Sequence, residues 1–287
     1  MKLPDFQYFA PSTAKEVVRL LASYDGQAKV LAGGQSLLPV MAYRLAKPAA
    51  LIDLRNVPGL NEIKIDGSGV RLGARTRWRD IEDDKRLLNA YPLLVEAISH
   101  VAHYQVRNRG TVGGSLGHAD PASEMPCIAA TCEAELLLLG PNGERRLKAA
   151  EFFLGPLTTA LRPDEIILEV HLPAWPPGRR WAFQEFAQRP GDFALAGVAV
   201  YYDSDSQQRA CNAHIGVVGA CQYSARLPGS EGALNGRRVD AETAQAVGHA
   251  AAEEVNASGD FHAPAEYRKA LVGTLLERAL CDAEARK

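Results

Sequence analysis

Val30-Leu31-Ala32-Gly33-Gly34-Gln35-Ser36-Leu37-Leu38-Pro39 is the stretch on which the reading of this chain turns. An apolar run enters the glycine pair, and a helix-compatible run, Leu37 to Leu45, leaves it, the pattern of a strand bending sharply into a helix. Glycine has no Cβ, so the backbone can turn there and press its N–H groups against a ligand. Amides that converge at a turn or a helix start attract negative charge. A second stretch, Arg109-Gly110-Thr111-Val112-Gly113-Gly114-Ser115-Leu116-Gly117-His118-Ala119-Asp120-Pro121, repeats the pattern. Two such loops from distant parts of one chain can grip a pyrophosphate from two sides, which points to a dinucleotide. Spacing alone stops at an anion. A lone Gly-Gly is most often a turn, the chain holds 25 glycines, and neither stretch fits G-x-G-x-x-G or the Walker lysine loop.

The 287 residues suffice for two packed domains, or for one large domain with an appendage. A net charge of −2 gives no basic field to recommend nucleic acid. No apolar stretch approaches the ~20 residues that span a bilayer. Met1-Lys2-Leu3-Pro4-Asp5-Phe6 lacks the apolar core of a secretion signal, so a cytoplasmic location is expected. The five cysteines, Cys127, Cys132, Cys211, Cys221 and Cys281, are scattered and odd in number, which argues for reduced thiols. Cys127 and Cys132 have the first spacing of a plant-type iron–sulfur ligand series, but no third cysteine follows. Cys132 sits in an alanine-rich segment and reads as a core thiol.

Outward from the first glycine pair, Ser12 or Thr13 caps a helix to Tyr24, Ala28 to Ala32 reads as a buried strand, and Ala50 to Leu54 as another. Ile63 to Leu72 describes a hairpin around Asp66-Gly67-Ser68-Gly69, and Thr76 opens a largely helical stretch to about Val101. Its charged run, Glu82 to Arg86, reads as a solvated face. Glu135 to Lys148 is a second hairpin, and Glu165 to Leu172 a strand. Pro173-Ala174-Trp175-Pro176-Pro177-Gly178 is the boundary candidate. Beyond it, Trp181 to Ala187, Phe193 to Tyr202 and Ala210 to Val218 read as strands, and Ala241 to Asn256 and Ala265 to Cys281 as helices, an α+β arrangement.

Several longer motifs carry a family likeness. Ala32 to Pro39 (AGGQSLLP) is followed by Met41, Arg44 and Leu51-Ile52-Asp53-Leu54, and Thr111 to Pro126 reads TVGGSLGHADPASEMP. Further on come Phe152-Phe153-Leu154-Gly155-Pro156, Glu165 to Val170, Arg189-Pro190-Gly191-Asp192-Phe193-Ala194, Tyr267-Arg268-Lys269 and Arg278-Ala279-Leu280. Over nearly its whole length the chain resembles the flavin-binding medium subunits of the molybdenum hydroxylases, the family of carbon monoxide dehydrogenase, quinoline oxidoreductase and xanthine dehydrogenase. The resemblance implies an α+β fold: a two-part FAD-binding domain of the vanillyl-alcohol-oxidase-like type over 1–177 (parts of about 1–55 and 56–177). A smaller domain over 178–287 follows, with a three-stranded antiparallel sheet and helices.

The resemblance also assigns both glycine stretches to FAD. Ala32, Gly33, Gly34, Gln35, Ser36 and Leu37 are expected around the pyrophosphate, with Thr111, Gly113, Gly114 and Ser115 closing from the other side and His118 and Asp120 as cofactor neighbours. Glu124 matches an acidic position that contacts the ribose or adenosine end, a reasonable role for a carboxylate accepting from sugar hydroxyls. Ile167 or Leu168 matches a region touching adenine or the ring system, though this strand buries apolar side chains in any case. Phe193 matches an often aromatic position near the isoalloxazine, where a ring can stack or gate; otherwise it is a core phenylalanine. Gln35 stands where relatives with covalent FAD often place histidine, so non-covalent FAD is implied.

His100 and His103 lie three apart on the expected helix but lack a third ligand, and packing explains them better than metal. No metal site and no catalytic residue is assigned to this chain. The implied partners are a large subunit with the molybdenum cofactor and a small subunit with [2Fe–2S] clusters, assembled as a dimer of heterotrimers. Two other readings compete: a self-sufficient flavin-dependent alcohol oxidase or dehydrogenase, which residues 178–287 do not equip with an acid–base pair, and a scaffold that has lost its flavin, against which the intact glycines count.

Overall fold

The computed structural model describes residues 2–286. Its first unit is a small parallel sheet. Strand β1 (Gln7–Phe9) leads to helix α1 (Ala14–Ser23), strand β2 (Ala28–Leu31), helix α2 (Leu37–Ala42) and strand β3 (Ala50–Asp53), with strand order β1-β3-β2. Thr13 caps α1 by accepting from the Glu16 N–H at 3.2 Å, and Val17, Val18 and Leu21 bury its inner stripe. The short β1, with Phe9 opposite Ile52, escapes a reading by pattern because pairing rather than propensity makes it a strand. Helix α2 stops before the expected Leu45 because Arg44 adopts a left-handed φ of 63°.

The second unit runs from strand β4 (Ile63–Asp66) and β5 (Gly69–Gly73) through six helices: α3 (Trp78–Asp83), α4 (Leu87–Ala90), α5 (Pro92–His100), α6 (Tyr104–Arg107), α7 (Val112–His118) and α8 (Glu124–Thr131). Strands β6 (Glu135–Gly140) and β7 (Gly143–Lys148), helix α9 (Ala149–Phe152), the two-stranded ribbon of β8 (Phe153–Gly155) and β9 (Thr158–Thr159), and strand β10 (Ile166–Pro173) complete it. The antiparallel sheet has the order β4-β5-β10-β6-β7, so the last strand inserts between the two hairpins. The helical stretch expected from Thr76 to Val101 is broken twice. Asp84 is extended, its carboxylate taken by the Arg86 side chain at 2.6 Å, and Tyr91 leaves the helix ahead of Pro92. The charged run is likewise not all solvated, since Glu82 pairs with Arg107 at 2.9 Å.

The third unit is a meander of β11 (Arg180–Ala187), β12 (Ala194–Ser204) and β13 (Ala210–Val218), the three strands expected. A two-residue edge strand β14 (Ala225–Arg226) joins them, with helices α10 (Pro228–Leu234), α11 (Ala241–Glu254) and α12 (Ala265–Ala285). Strand β12 is buried from Ala194 through Tyr202 because both faces are covered. Ala196, Val198, Val200 and Tyr202 share the apolar cluster of α11 and α12, while Ala199 and Tyr201 join the core of the second unit, the alternation that a pleated strand imposes. Gly216 on β13 marks the tightest contact, because a Cβ there would overlap Thr131 Oγ1 of α8 and lie 3.3 Å from Cys127 Sγ. Gly216→Ala is therefore expected to destabilise the chain by about 1–3 kcal/mol, read as a lowered Tm; an unchanged Tm would mean that α8 is free to slide. No helix of the described residues is long and apolar enough to cross a membrane.

Candidate functional site: a cavity floored by free amides

The turn between β2 and α2 places a row of backbone donors on one surface. Gly34 takes a φ of 75°, open to glycine and strained for side-chain-bearing residues. Among the described residues nothing accepts from the N–H groups of Gly33, Gly34, Gln35, Ser36 or Leu37, and the first α2 bond is Leu38 N–H to Gly34 O at 3.2 Å. The Ser36 hydroxyl makes no cap bond, and the Gln35 carboxamide donates to Gly33 O at 3.3 Å. Backbone donors left without protein partners, on a wall that faces a void, are groups a ligand can satisfy.

The second glycine pair differs from expectation. It is not a loop but the first turn of α7, and its donors are engaged. Val112 N–H donates to Thr76 O at 2.9 Å, Gly113 N–H to Ala74 O at 2.8 Å and Ser115 N–H to Thr111 O at 3.0 Å. Gly114 N–H donates to the capping Thr111 Oγ1 at 3.2 Å. What α7 offers instead is a flat face: Gly114 and Gly117 are exposed on it, with Ser115 and His118 alongside. The two stretches meet backbone to backbone. A Cβ on Gly33 would overlap the Arg109 carbonyl oxygen and lie 3.0 Å from Gly110 Cα.

Between them opens a cavity of about 1480 Å³, larger than the roughly 300–1,000 Å³ of most small-molecule sites. Ala32, Gly33, Gly34, Gln35, Ser36, Leu37, Thr111, Gly113, Gly114, Ser115, His118, Asp120, Glu124, Ile167 and Phe193 all line it. Leu168, the alternative to Ile167, sits at a bulge in β10 and gives its carbonyl to Ala74 N–H at 2.9 Å. Phe193 precedes β12 rather than lying in it, and at 72% exposure it is no core residue. Its loop is held by Gly191, whose absent Cβ would lie 3.0 Å from the Ala102 carbonyl oxygen.

Other lining residues escaped the sequence reading. Arg268, buried on α12, donates to Leu195 O at 2.8 Å and Gly219 O at 2.5 Å, and pairs with Asp260 at 2.8 Å. It ties the last helix and the rim loop to the sheet. On that loop Phe261 is 91% exposed and faces the same cavity. Tyr267-Arg268-Lys269 marked the likeness without disclosing this role, because a buried arginine on carbonyl acceptors has no local signature.

A family model described as FAD binding domain in molybdopterin dehydrogenase matches residues 4–175, and one described as CO dehydrogenase flavoprotein C-terminal domain matches residues 181–283. The chain belongs to the FAD-binding medium subunits of the molybdenum hydroxylase family. The nicotine 6-hydroxylase medium subunit of Paenarthrobacter nicotinovorans is 41% identical over 286 residues, covering 100% of both chains. Among solved structures, carbon monoxide dehydrogenase from Hydrogenophaga pseudoflava superposes with a TM-score of 0.96 at 38% identity, covering 100% of this chain and 99% of that one. Quinoline 2-oxidoreductase from Pseudomonas putida 86 gives a TM-score of 0.94 at 35% identity, covering 99% of each chain.

In this medium subunit the titratable groups divide cleanly. Burial pushes the thiols of Cys127 and Cys132 up to about 12, which makes Cys132 the core thiol its surroundings foretold. No group of three or more metal-ligating side chains comes together among the described residues. His100 and His103 do not share a helix: α5 ends at His100, Ala102 turns left-handed, and His103 precedes α6. Burial lowers the pKa of His100, whose ring meets Phe183 edge-on at 5.1 Å. Glu165, also on the cavity wall, would be raised by burial alone, but a bidentate pair with Arg145 at 2.8 and 2.7 Å holds its carboxyl below the usual range.

Proposed function

We propose that this medium subunit holds one FAD non-covalently in the cavity and acts as the electron outlet of a molybdenum hydroxylase. The observation that carries this reading is the row of acceptor-free amides from Gly33 to Leu37 on the floor of a large cavity. A pyrophosphate needs several donors and no bulk, and this turn offers both. The α7 face, bare at Gly114 and Gly117, gives a flat wall on the opposite side, with the Ser115 hydroxyl as its polar contribution in place of the amides that Ala74, Thr76 and Thr111 occupy. Residues 1–177 would supply this floor, and 178–287 the cover that brings Phe193, Phe261 and Arg268 to the rim. Gln35, a carboxamide, has no nucleophilic nitrogen for a flavin bond.

Bound FAD supplies one- and two-electron redox chemistry. The chain's own residues bind and orient it. Glu124 stands ready for a sugar hydroxyl, Ile167 for an apolar face, and Phe193 at the mouth for the ring. The complex is proposed to oxidise its substrate on a large molybdenum-holding partner, to pass electrons through a small [2Fe–2S] partner, and to release them here to an external acceptor. Two such heterotrimers are proposed to pair, in the cytoplasm. The purified chain incubated with FAD is expected to retain one flavin per chain, measured by visible absorbance after gel filtration; a colourless product would sink the reading.

Phe193→Ala tests the ring end. Because the side chain is exposed, the variant should keep its Tm and its FAD. Loss of an aromatic contact worth about 1 kcal/mol should change acceptor kinetics several-fold or move the flavin potential. If neither moves, Phe193 does not touch the ring system.

A further inference from the structure

We propose that Arg268 is the positioning residue of the cavity mouth. Its one guanidinium fixes the segment that carries Phe193 relative to the loop that carries Phe261, and that spacing sets how tightly an electron acceptor engages the reduced flavin. The proposal rests on the FAD reading above and deepens it at the mouth of the same cavity. Both rings line the cavity and both are largely exposed. Neither is placed by burial, so each goes where its backbone goes. The two backbones meet on Arg268, itself buried. Its Nη1 donates to Leu195 O at 2.8 Å, two residues beyond Phe193, and to Gly219 O at 2.5 Å. Its Nη2 donates to Asp260 Oδ2 at 2.8 Å, immediately before Phe261. Both nitrogens belong to one rigid plane, so the two ring-bearing segments are held a guanidinium's width apart. Nε takes no partner; the side chain spends its bonds on the segments that frame the mouth.

Each segment is stiff enough to pass that position on to its ring. Asp260 Oδ1 accepts from the N–H groups of His262 at 2.9 Å and Ala263 at 3.1 Å, and Asp260 N–H donates to Ala263 O at 3.0 Å. The loop is thus a closed turn, with Phe261 lying on the His262 ring at a centroid distance of 3.7 Å. It hangs from the sheet by Ser258 N–H to Ala220 O at 2.9 Å and by the Arg268–Asp260 pair, its one ion pair among the described residues. On the other side a Cβ on Gly219 would stand 2.6 Å from Ala194 O, so the start of β12 and the end of β13 press backbone to backbone. A buried guanidinium cannot leave its acceptors cheaply, and a lysine ammonium lacks the planar fork that reaches all three. Aromatic faces receive planar molecules, and a fixed distance between them decides how well one is held for reaction. Arg268 therefore acts on the acceptor through the two rings, without touching it.

The test uses the full-length FAD-loaded chain, reduced with stoichiometric dithionite and mixed anaerobically with the planar dye dichlorophenolindophenol. Two electrons and two protons pass from the reduced flavin to the dye, which bleaches as the flavin turns yellow. In Arg268→Lys the half-saturating dye concentration should rise about fivefold, while the limiting rate and the FAD content stay near those of wild type. In a chain that already carries Phe193→Ala and Phe261→Ala, the same change should add less than about twofold, because residues that act through one another are not additive. A purely structural role would add in full there, or lower the limiting rate as well. Asp260→Asn, at the half-exposed partner, cuts the Phe261 side alone and should raise half-saturation in the same direction. Chymotrypsin gives a reading that needs no flavin: cleavage after Phe261 should be about tenfold faster in both variants as the loop opens more often. Unchanged half-saturation in both variants, full additivity, or unchanged cleavage overturns the proposal. A wild-type chain that holds no FAD would instead strike the FAD reading, and cleavage would still decide whether Arg268 holds the loop.

Discussion

Gly33→Val is expected to give a folded chain that purifies without flavin, its affinity for FAD down about a hundredfold or more, equivalent to about 2.8 kcal/mol. The cause lies in the protein before any ligand arrives. A Cβ at Gly33 would overlap the Arg109 carbonyl oxygen and stand 2.9 Å from its carbon and 3.0 Å from Gly110 Cα. Neither is a side chain that can swing away, so one backbone must move, and the amides of Gly33 to Leu37 move with it. Gly114→Val should weaken binding less: its Cβ meets the rotatable Thr111 hydroxyl at 2.7 Å and costs a helix cap. Gly67→Val is the control, since nothing lies within 4 Å of a Cβ in that hairpin turn. Flavin content by absorbance and fold by circular dichroism separate the cases. Full flavin occupancy in Gly33→Val would remove the pyrophosphate from this turn.

The second large effect concerns electrons rather than binding. Mixed anaerobically with the organic substrate of the assembled complex, the isolated FAD-loaded chain should stay yellow. The same chain joined to its molybdenum and iron–sulfur partners should bleach within turnover time. The cavity presents amides, apolar walls and the buried carboxyl of Glu124 to its contents, and its lining includes no nucleophile activated by a neighbouring base. Dithionite, which needs no substrate site, should bleach the flavin in both samples. Bleaching by substrate without partners would move the reaction into this chain and restore the self-sufficient oxidase.

Much of this was legible in the residues, for identifiable reasons. Strands β6, β7, β11 and β13 announce themselves because alternation and β-branched content are local properties. The first glycine pair reads correctly as an open turn for the same reason. The second pair does not, because the N–H groups of Val112 and Gly113 are taken by distant acceptors, Thr76 and Ala74, that no window of sequence contains. Helix α8 was missed although it carries Glu124: its apolar residues are buried all round, so it shows no helical stripe. Arg268 stayed hidden because its importance comes from neighbours far along the chain. The family likeness located cavity-lining positions that spacing alone would have left as turns.

One further point follows from the way the core is laid out. Phe183, Ala194, Ala199, Tyr201 and Val218 of the third unit belong to the same apolar cluster as Leu72, Leu116 and Val170 of the second. The walls that these two units supply are joined through one core and cannot swing apart about a hinge as lobes with a wet interface do. Cofactor exchange is therefore confined to rim loops such as Gln188 to Phe193 and Ser258 to His262. The outline that these two units share is therefore expected to be the same whether the cavity is filled or empty. On the proposed assembly, partners would then dock equally well on either form, and a cell short of flavin would accumulate complete complexes with a broken circuit rather than orphaned subunits.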